Sequence, residues 1–188
     1  MPKKRIAIFA SGNGTNAQRI IEYFIGSEQA EVNMILTNNP QAYVIQRGKM
    51  FEIPVFIFNK EDFYSTNNVL NKLSEAKTDL IVLAGFLWLI PAEIITNFPD
   101  RIVNIHPALL PKYGGKGMYG ANVHKAVISA GEKESGISIH YVNENYDDGN
   151  IIFQAKCSVD EGETPDSLAM KIHQLEQKYF PVIIENLI

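Results

Sequence analysis

The chain is poor in several things that would have marked particular functions. Its 188 residues hold one cysteine, Cys157, and one tryptophan, Trp88. A lone thiol excludes an intrachain disulfide and a cysteine-built zinc site, and it suits a reducing compartment such as the cytoplasm. Histidine stands at only four positions, 106, 124, 140 and 173, with no metal-ligand spacing, so no metal is expected. The longest apolar run, Leu80–Ile90, is too short to cross a bilayer. Lys3-Lys4-Arg5 followed by Ile6–Ala10 has the outline of a secretion signal, but Ser11-Gly12-Asn13-Gly14 cuts the apolar run short. A membrane partner is therefore not expected. Basic blocks are missing too: 17 Lys and Arg face 21 Asp and Glu, for a net charge of −4, which argues against nucleic acid as a partner. An anionic small molecule stays open, because binding one needs only local positive potential. No internal repeat, low-complexity stretch or linker is visible, and one domain over residues 1–188 is expected.

What is present is an ordinary globular composition, 46% hydrophobic and 20% charged, long enough to bury a sizeable core. Arg5–Phe9, Val32–Leu36, Val55–Phe58, Leu80–Ala84 and Ile102–Ile105 read as strands, and their continuous apolar runs suit strands covered on both faces. Helical patterns separate them. One follows Asn16, with Ile20, Ile21, Phe24 and Ile25 on one face; others span Ala42–Met50, Asp62–Ala76 and Pro91–Asn97. This alternation predicts an α/β fold, a Rossmann-like, mostly parallel twisted sheet flanked by helices. After residue 105 the pattern changes. A helix over Asn122–Ala130 precedes two strands, Gly136–Val142 and Ile151–Val159, joined across Asp147-Asp148-Gly149-Asn150, which predicts an antiparallel edge hairpin. Thr164-Pro165-Asp166 then opens a long C-terminal helix with Leu168, Ile172, Leu175 and Tyr179 on its buried side. It ends near Pro181 or runs past it.

The chemistry concentrates at Asn104-Ile105-His106-Pro107. The fifth strand stops there, and in open α/β sheets ligands bind at the carboxyl ends of the strands. Asn104 and His106 are two apart, so they share a side of the strand and can hold a developing oxyanion together. Gly12-Asn-Gly14-Thr-Asn-Ala17 fits a dinucleotide fingerprint, but the acid expected at the end of the second strand is replaced by Thr37-Asn38-Asn39. A nicotinamide cofactor is thereby disfavoured. What remains is a backbone cradle for phosphate at Gly14, Thr15 and Asn16, or a ligand-free strand-to-helix turn. Asp147-Asp148-Gly149 alone reads as a turn. Ser138 and His140 share one strand face opposite Ile137 and Ile139, and His140 reads as a half-buried histidine. His173 and Glu176, three apart on the last helix, can touch. His124 has no partner visible in the sequence.

Asn104–Pro111 joined to Asp147-x-Gly149 resembles the folate-dependent formyltransferase family. Ser11–Asn16, Leu83–Phe86, Asn104–Tyr113 and Thr164–Pro181 match in order and span nearly the whole chain. The resemblance implies transfer of the formyl group of 10-formyltetrahydrofolate, a co-substrate, to the amine of glycinamide ribonucleotide in purine biosynthesis, without a metal. It implies Asn104, His106 and Asp147 as the catalytic trio, Gly14, Thr15 and Asn16 at the substrate phosphate, and Glu176 at the ribose. It also implies a strand after Gly85, with Leu87, Trp88, Leu89 and Ile90 lining a pterin pocket together with Tyr141. Residues 1–100 would form the nucleotide half and 101–188 the catalytic and folate half of a monomer or weak homodimer. The family often carries Met-Arg where this chain has Leu87-Trp88, and a His-containing segment where it has Lys116–Gly120. Rivals inside the family are a formyltetrahydrofolate hydrolase or another formyltransferase. Outside it stands a non-catalytic nucleotide-binding module.

Overall fold

Strand β1 (Lys4–Phe9) is the axis of the molecule, and its two faces serve two separate cores. Ile6 and Ile8 pack on one side, Ala7 and Phe9 on the other, all at 0% exposure. A strand with period-2 side chains and helices on both faces must be apolar at every position, which is why no alternation shows in its sequence. The computed structural model describes residues 2–188. Seven strands form one sheet in the order β3-β2-β1-β4-β5-β6-β7. The remaining strands are β2 (Ala30–Thr37), β3 (Val55–Ile57), β4 (Leu80–Leu83), β5 (Ile102–His106), β6 (Glu134–Tyr141) and β7 (Ile151–Ser158). Strands β1 to β5 pair in parallel, while β5–β6 and β6–β7 are antiparallel. The strand order reverses between β1 and β4, so the crevice above their carboxyl ends is the expected ligand site of such a sheet.

Helix α1 (Thr15–Phe24) buries Ala17, Ile20, Ile21 and Phe24 against the first core, joined by α6 (Ala121–Ser129) and α7 (Pro165–Glu185). The second core takes Phe63 from α3 (Lys60–Tyr64), Val69 and Leu73 from α4 (Asn68–Glu75) and Ile94 from α5 (Ala92–Asn97). Helix α2 (Val44–Met50) leans on β2, β3 and the loop after β1.

The sequence expectations hold for the fold class, with local corrections. The helix predicted over Asp62–Ala76 is two helices. Ser65, Thr66 and Asn67 interrupt it, and the Asn68 amide turns back to donate to Asp62 at 2.7 Å. Ile25 is not on the buried face of α1 but 65% exposed, because it is the extended C-cap residue and Gly26 turns the chain away. Leu87–Ile90 is not a strand. Gly85 (φ +77°) turns the backbone out of the sheet, and Leu87 N–H donates to Ser11 Oγ at 3.1 Å instead of joining a ladder. Of the predicted inner face of α7, Leu168 and Ile172 are buried while Leu175 and Tyr179 are half-buried. Thr164 and Ser167 form a capping box at its start. The helix runs past Pro181. Pro181 has no N–H for the Gln177 carbonyl, and Arg19 Nε supplies the donor at 3.3 Å. Among the described residues, no helix is long and apolar enough to cross a membrane.

Candidate active site

Strands β5 and β6 lay their polar residues side by side. Asn104 is the register partner of His140, and His106 is the partner of Ser138. His140 is 2% exposed. Its Nδ1 lies 2.8 Å from the Tyr141 carbonyl, which can only accept, so Nδ1 carries the proton and Nε2 is left to accept. The amide Nδ2 of Asn104 donates to that Nε2 at 3.0 Å. This chain of bonds decides which way the Asn104 amide faces. Its second N–H points toward Asp147 Oδ1 across a long 3.4 Å.

Asp147 reaches the pair from the loop between β6 and β7. Its Oδ2 accepts from Gly115 N–H at 3.0 Å and lies 3.4 Å from His106 Nδ1. Its Oδ1 is 3.7 Å from His140 Nε2. Asp147 holds φ at +53°, a region that residues with a Cβ seldom adopt. The loop folds this tightly because of Gly149: a Cβ there would sit 1.7 Å from the Tyr141 carbonyl oxygen. Asp148 is exposed and takes the amides of Asn143 and Asn145 instead.

Burial pushes the His106 imidazole below its ordinary pKa, against the pull of the Asp147 carboxylate and the Tyr113 carbonyl. The charge attraction of Asp147 acts on the ring, but desolvation outweighs it. His106 Nε2 donates to the Tyr113 carbonyl at 2.7 Å. Burial pushes the Asp147 carboxyl up, but His106 and the Gly115 N–H outweigh it and hold the group below the usual carboxylate range. Under the backbone after His106, Ser138 Oγ accepts from Leu110 N–H at 2.9 Å and donates to the Ala108 carbonyl at 2.7 Å.

These residues open on a cleft of about 750 Å³ at the switch point. Gly12–Asn16 forms one end, with α1 starting at Thr15 from Gly14 in the left-handed region (φ +75°). The first N–H groups of a helix have no internal partner, so Thr15 and Asn16 present donors there. The Asn16 side chain is committed elsewhere: it donates to Glu176 Oε2 at 2.9 Å and accepts from Gln177 at 3.0 Å. Glu176 and His173 line the same wall, 3.2 Å apart, and the Glu176 contact raises the His173 pKa. His124 also lines it, 7% exposed, and among the described residues its Nδ1 has no partner.

The predicted folate residues are dispersed. Leu87 lines the cleft and is 46% exposed. Ile90 is in the second core. Trp88 packs with Phe58, Phe63, Tyr64 and Phe86, and Lys60 Nζ stands 5.9 Å over its ring. Leu89 and Tyr141 are half-buried, Tyr141 against the first core. Sequence reasoning underrated His140, whose signal was a polar pair, Ser138 and His140, on the strand face opposite Ile137 and Ile139.

A formyl transferase family profile matches residues 4–184, nearly the whole chain. The chain belongs to the formyl transferase family. It is 39% identical over 188 residues to "Phosphoribosylglycinamide formyltransferase, chloroplastic" of Arabidopsis thaliana, covering 97% of this chain but 64% of that protein's length. The chain thus spans less than two thirds of this plant relative. To the phosphoribosylglycinamide formyltransferase of Bacillus subtilis it is 34% identical over 98% of this chain and 95% of the other. The crystal structure of phosphoribosylglycinamide formyltransferase from Bacillus halodurans superposes with a TM-score of 0.88 at 37% identity, covering 98% of this chain and 95% of that one.

Proposed function

We propose that this chain transfers the formyl group of 10-formyltetrahydrofolate to the amine of glycinamide ribonucleotide, giving formylglycinamide ribonucleotide and tetrahydrofolate. The observation that carries the reading is the convergence of Asn104, His106 and Asp147, from two different elements, within 3.4 Å contacts on one cleft. The family and the names of the relatives support it. So does a single cleft lined both by the Gly12–Asn16 loop and by Asn104, His106 and Asp147. The single free cysteine suits action in the cytoplasm.

The amine of the substrate is its own nucleophile, so no protein nucleophile is needed. Its lone pair forms the new C–N bond, and the carbonyl electrons move onto the formyl oxygen. The Asn104 amide, already aimed by His140, donates to that oxyanion with its loosely held second N–H. His106 Nε2–H, which here donates to the Tyr113 carbonyl at 2.7 Å, is the second donor for that oxyanion when it is released from this carbonyl, and the ring keeps its proton throughout. Asp147, 3.4 Å from His106 Nδ1, takes the proton that the attacking amine sheds. That proton goes on to the departing folate nitrogen as its bond to the formyl carbon breaks. The phosphate lies on the N–H groups of Gly14, Thr15 and Asn16. Glu176 accepts from the ribose hydroxyls. The folate lies on the side of Leu87.

The test is folate release followed by absorbance, with and without glycinamide ribonucleotide. Release that requires the ribonucleotide supports the transferase, and release without it means a hydrolase. Release in neither cuvette, from folded protein, leaves a different acceptor or a binding module. Asn104→Ala should slow transfer by about 10²–10³-fold, as expected for a lost oxyanion donor. A change under threefold, with chemistry rate-limiting, removes Asn104 from the mechanism.

A further inference from the structure

Among the described residues, no lysine or arginine besides Lys116 lines the cleft, while Asp147, Asp166 and Glu176 do. A phosphate at Gly14–Asn16 must then be held by backbone N–H groups, and those are worth most when they cannot swing. Helix α2 stands directly behind them. Val44 N–H donates to the Gly12 carbonyl at 3.1 Å, and Arg47 Nε donates to the Asn13 carbonyl at 2.7 Å. The Arg47 guanidinium also donates to the side chains of Asn13 and Gln18, and it lies 5.0 Å over the Tyr43 ring.

In a trans peptide the C=O and the N–H point in opposite directions. The Gly12 carbonyl shares its peptide with Asn13 N–H, and the Asn13 carbonyl shares its peptide with Gly14 N–H. Anchoring both carbonyls on α2 turns both N–H groups to the opposite side, toward the cleft that Gly12–Asn16 lines. Close approach of α2 depends on Gly14. A Cβ there would lie 2.4 Å from Val44 Cγ2. A charged donor on the Asn13 carbonyl also polarises that peptide and makes Gly14 N–H a stronger donor. A second feature of the cleft points to a polar ligand: His124 is buried on its wall, and among the described residues its Nδ1 has no partner.

We propose that Arg47 is a positioning residue for substrate phosphate, acting from outside the cleft through the Asn13–Gly14 peptide. This rests on the phosphate reading of the loop given above. The variants are Arg47→Met, which keeps a long apolar stem, and Arg47→Lys, which keeps the charge without the planar fork. Inorganic phosphate is the direct probe, titrated calorimetrically into the full chain. Steady-state kinetics with the ribonucleotide and with its dephosphorylated nucleoside are the second readout. Arg47→Met should weaken phosphate binding and raise KM for the ribonucleotide, each by roughly tenfold or more, the scale of a lost charge-assisted hydrogen bond. Neither kcat nor kcat/KM for the nucleoside should move, and Arg47→Lys should recover part of the loss. Unchanged phosphate affinity in Arg47→Met overturns the proposal. An equal loss with the nucleoside also overturns it, because that is general damage to the fold. Failure of wild-type protein to bind phosphate overturns it together with the phosphate reading. Phosphate binding that falls in Arg47→Met while no formyl transfer occurs upholds Arg47 and refutes only the proposed reaction.

Discussion

Gly149→Ala tests whether the β6–β7 loop, and not merely its aspartate, belongs to the active site. The added Cβ would stand 1.7 Å from the Tyr141 carbonyl oxygen and 2.7 Å from its carbon, both backbone atoms that cannot rotate away. Ordinary contact begins near 3.4 Å, twice the shorter distance, so one backbone must retreat by about 1.7 Å. The end of β6 is pinned by Val142 N–H on the Ile102 carbonyl at 3.0 Å, so the loop is what yields. Asp147 is two residues away. Its bond to Gly115 N–H is 3.0 Å and its distances to Asn104 and His106 are 3.4 Å, so a displacement of that size breaks all three. Misplacing a reacting group by about 1 Å costs on the order of 10² in rate. Overpacking of this kind also costs about 1–3 kcal/mol of stability. The expected result is therefore kcat down about a hundredfold in a protein that still melts cooperatively at a lowered temperature. The assay is folate release at saturating substrates beside a thermal melt. Asp148→Ala is the control, because Asp148 is exposed and faces away from the trio; it should stay within about threefold of wild type. Full activity in Gly149→Ala, or a loss in Asp148→Ala as large as in Asp147→Ala, would refute the reasoning.

Two further outcomes can be checked on the folded chain without substrate. Ser138→Ala strands the buried Leu110 N–H, which costs about 1–3 kcal/mol, so calorimetry should show a melting temperature several degrees lower; an unchanged one means that the 107–111 segment does not depend on Ser138. Burial lowers the pKa of both His106 and His124 from the usual 6.5, so the unfolded chain takes up protons first as pH falls through that value, and stability should drop below about pH 6.5. His173 works in the opposite sense: Glu176 raises its pKa, so its contribution is complete below 6.5 and fades as pH rises through the raised value. His124→Gln should therefore make the acid-side fall in melting temperature shallower. An unaltered slope would show that His124 is not held neutral by burial.

Much of the fold was legible because strands buried on both faces have only one kind of residue to use. Ile6–Phe9 and Leu80–Leu83 are examples, and the capping residues Thr164 and Pro165 announce α7 as plainly. Local pattern failed where a few polar residues tipped the balance. The break at Ser65–Asn67 is one case, and the exit of Ile25 from the helix face is another. Among the candidate site residues, Asn104 and His106 could be paired from the sequence, since a strand repeats every two residues.

The sequence by itself determined the alternating architecture, the glycines of the Gly12–Asn16 loop and the polar end of β5, because each is a property of consecutive residues. Only the tertiary structure decided that His140 aims the Asn104 amide, how Asp147 comes to face both Asn104 and His106, and that Arg47 bonds the loop from behind. Those contacts join residues 29 to 43 positions apart. They depend on strand register, on a loop that turns back on itself at Gly149, and on one helix approaching Gly14, which are outcomes of packing that no stretch of neighbouring residues encodes.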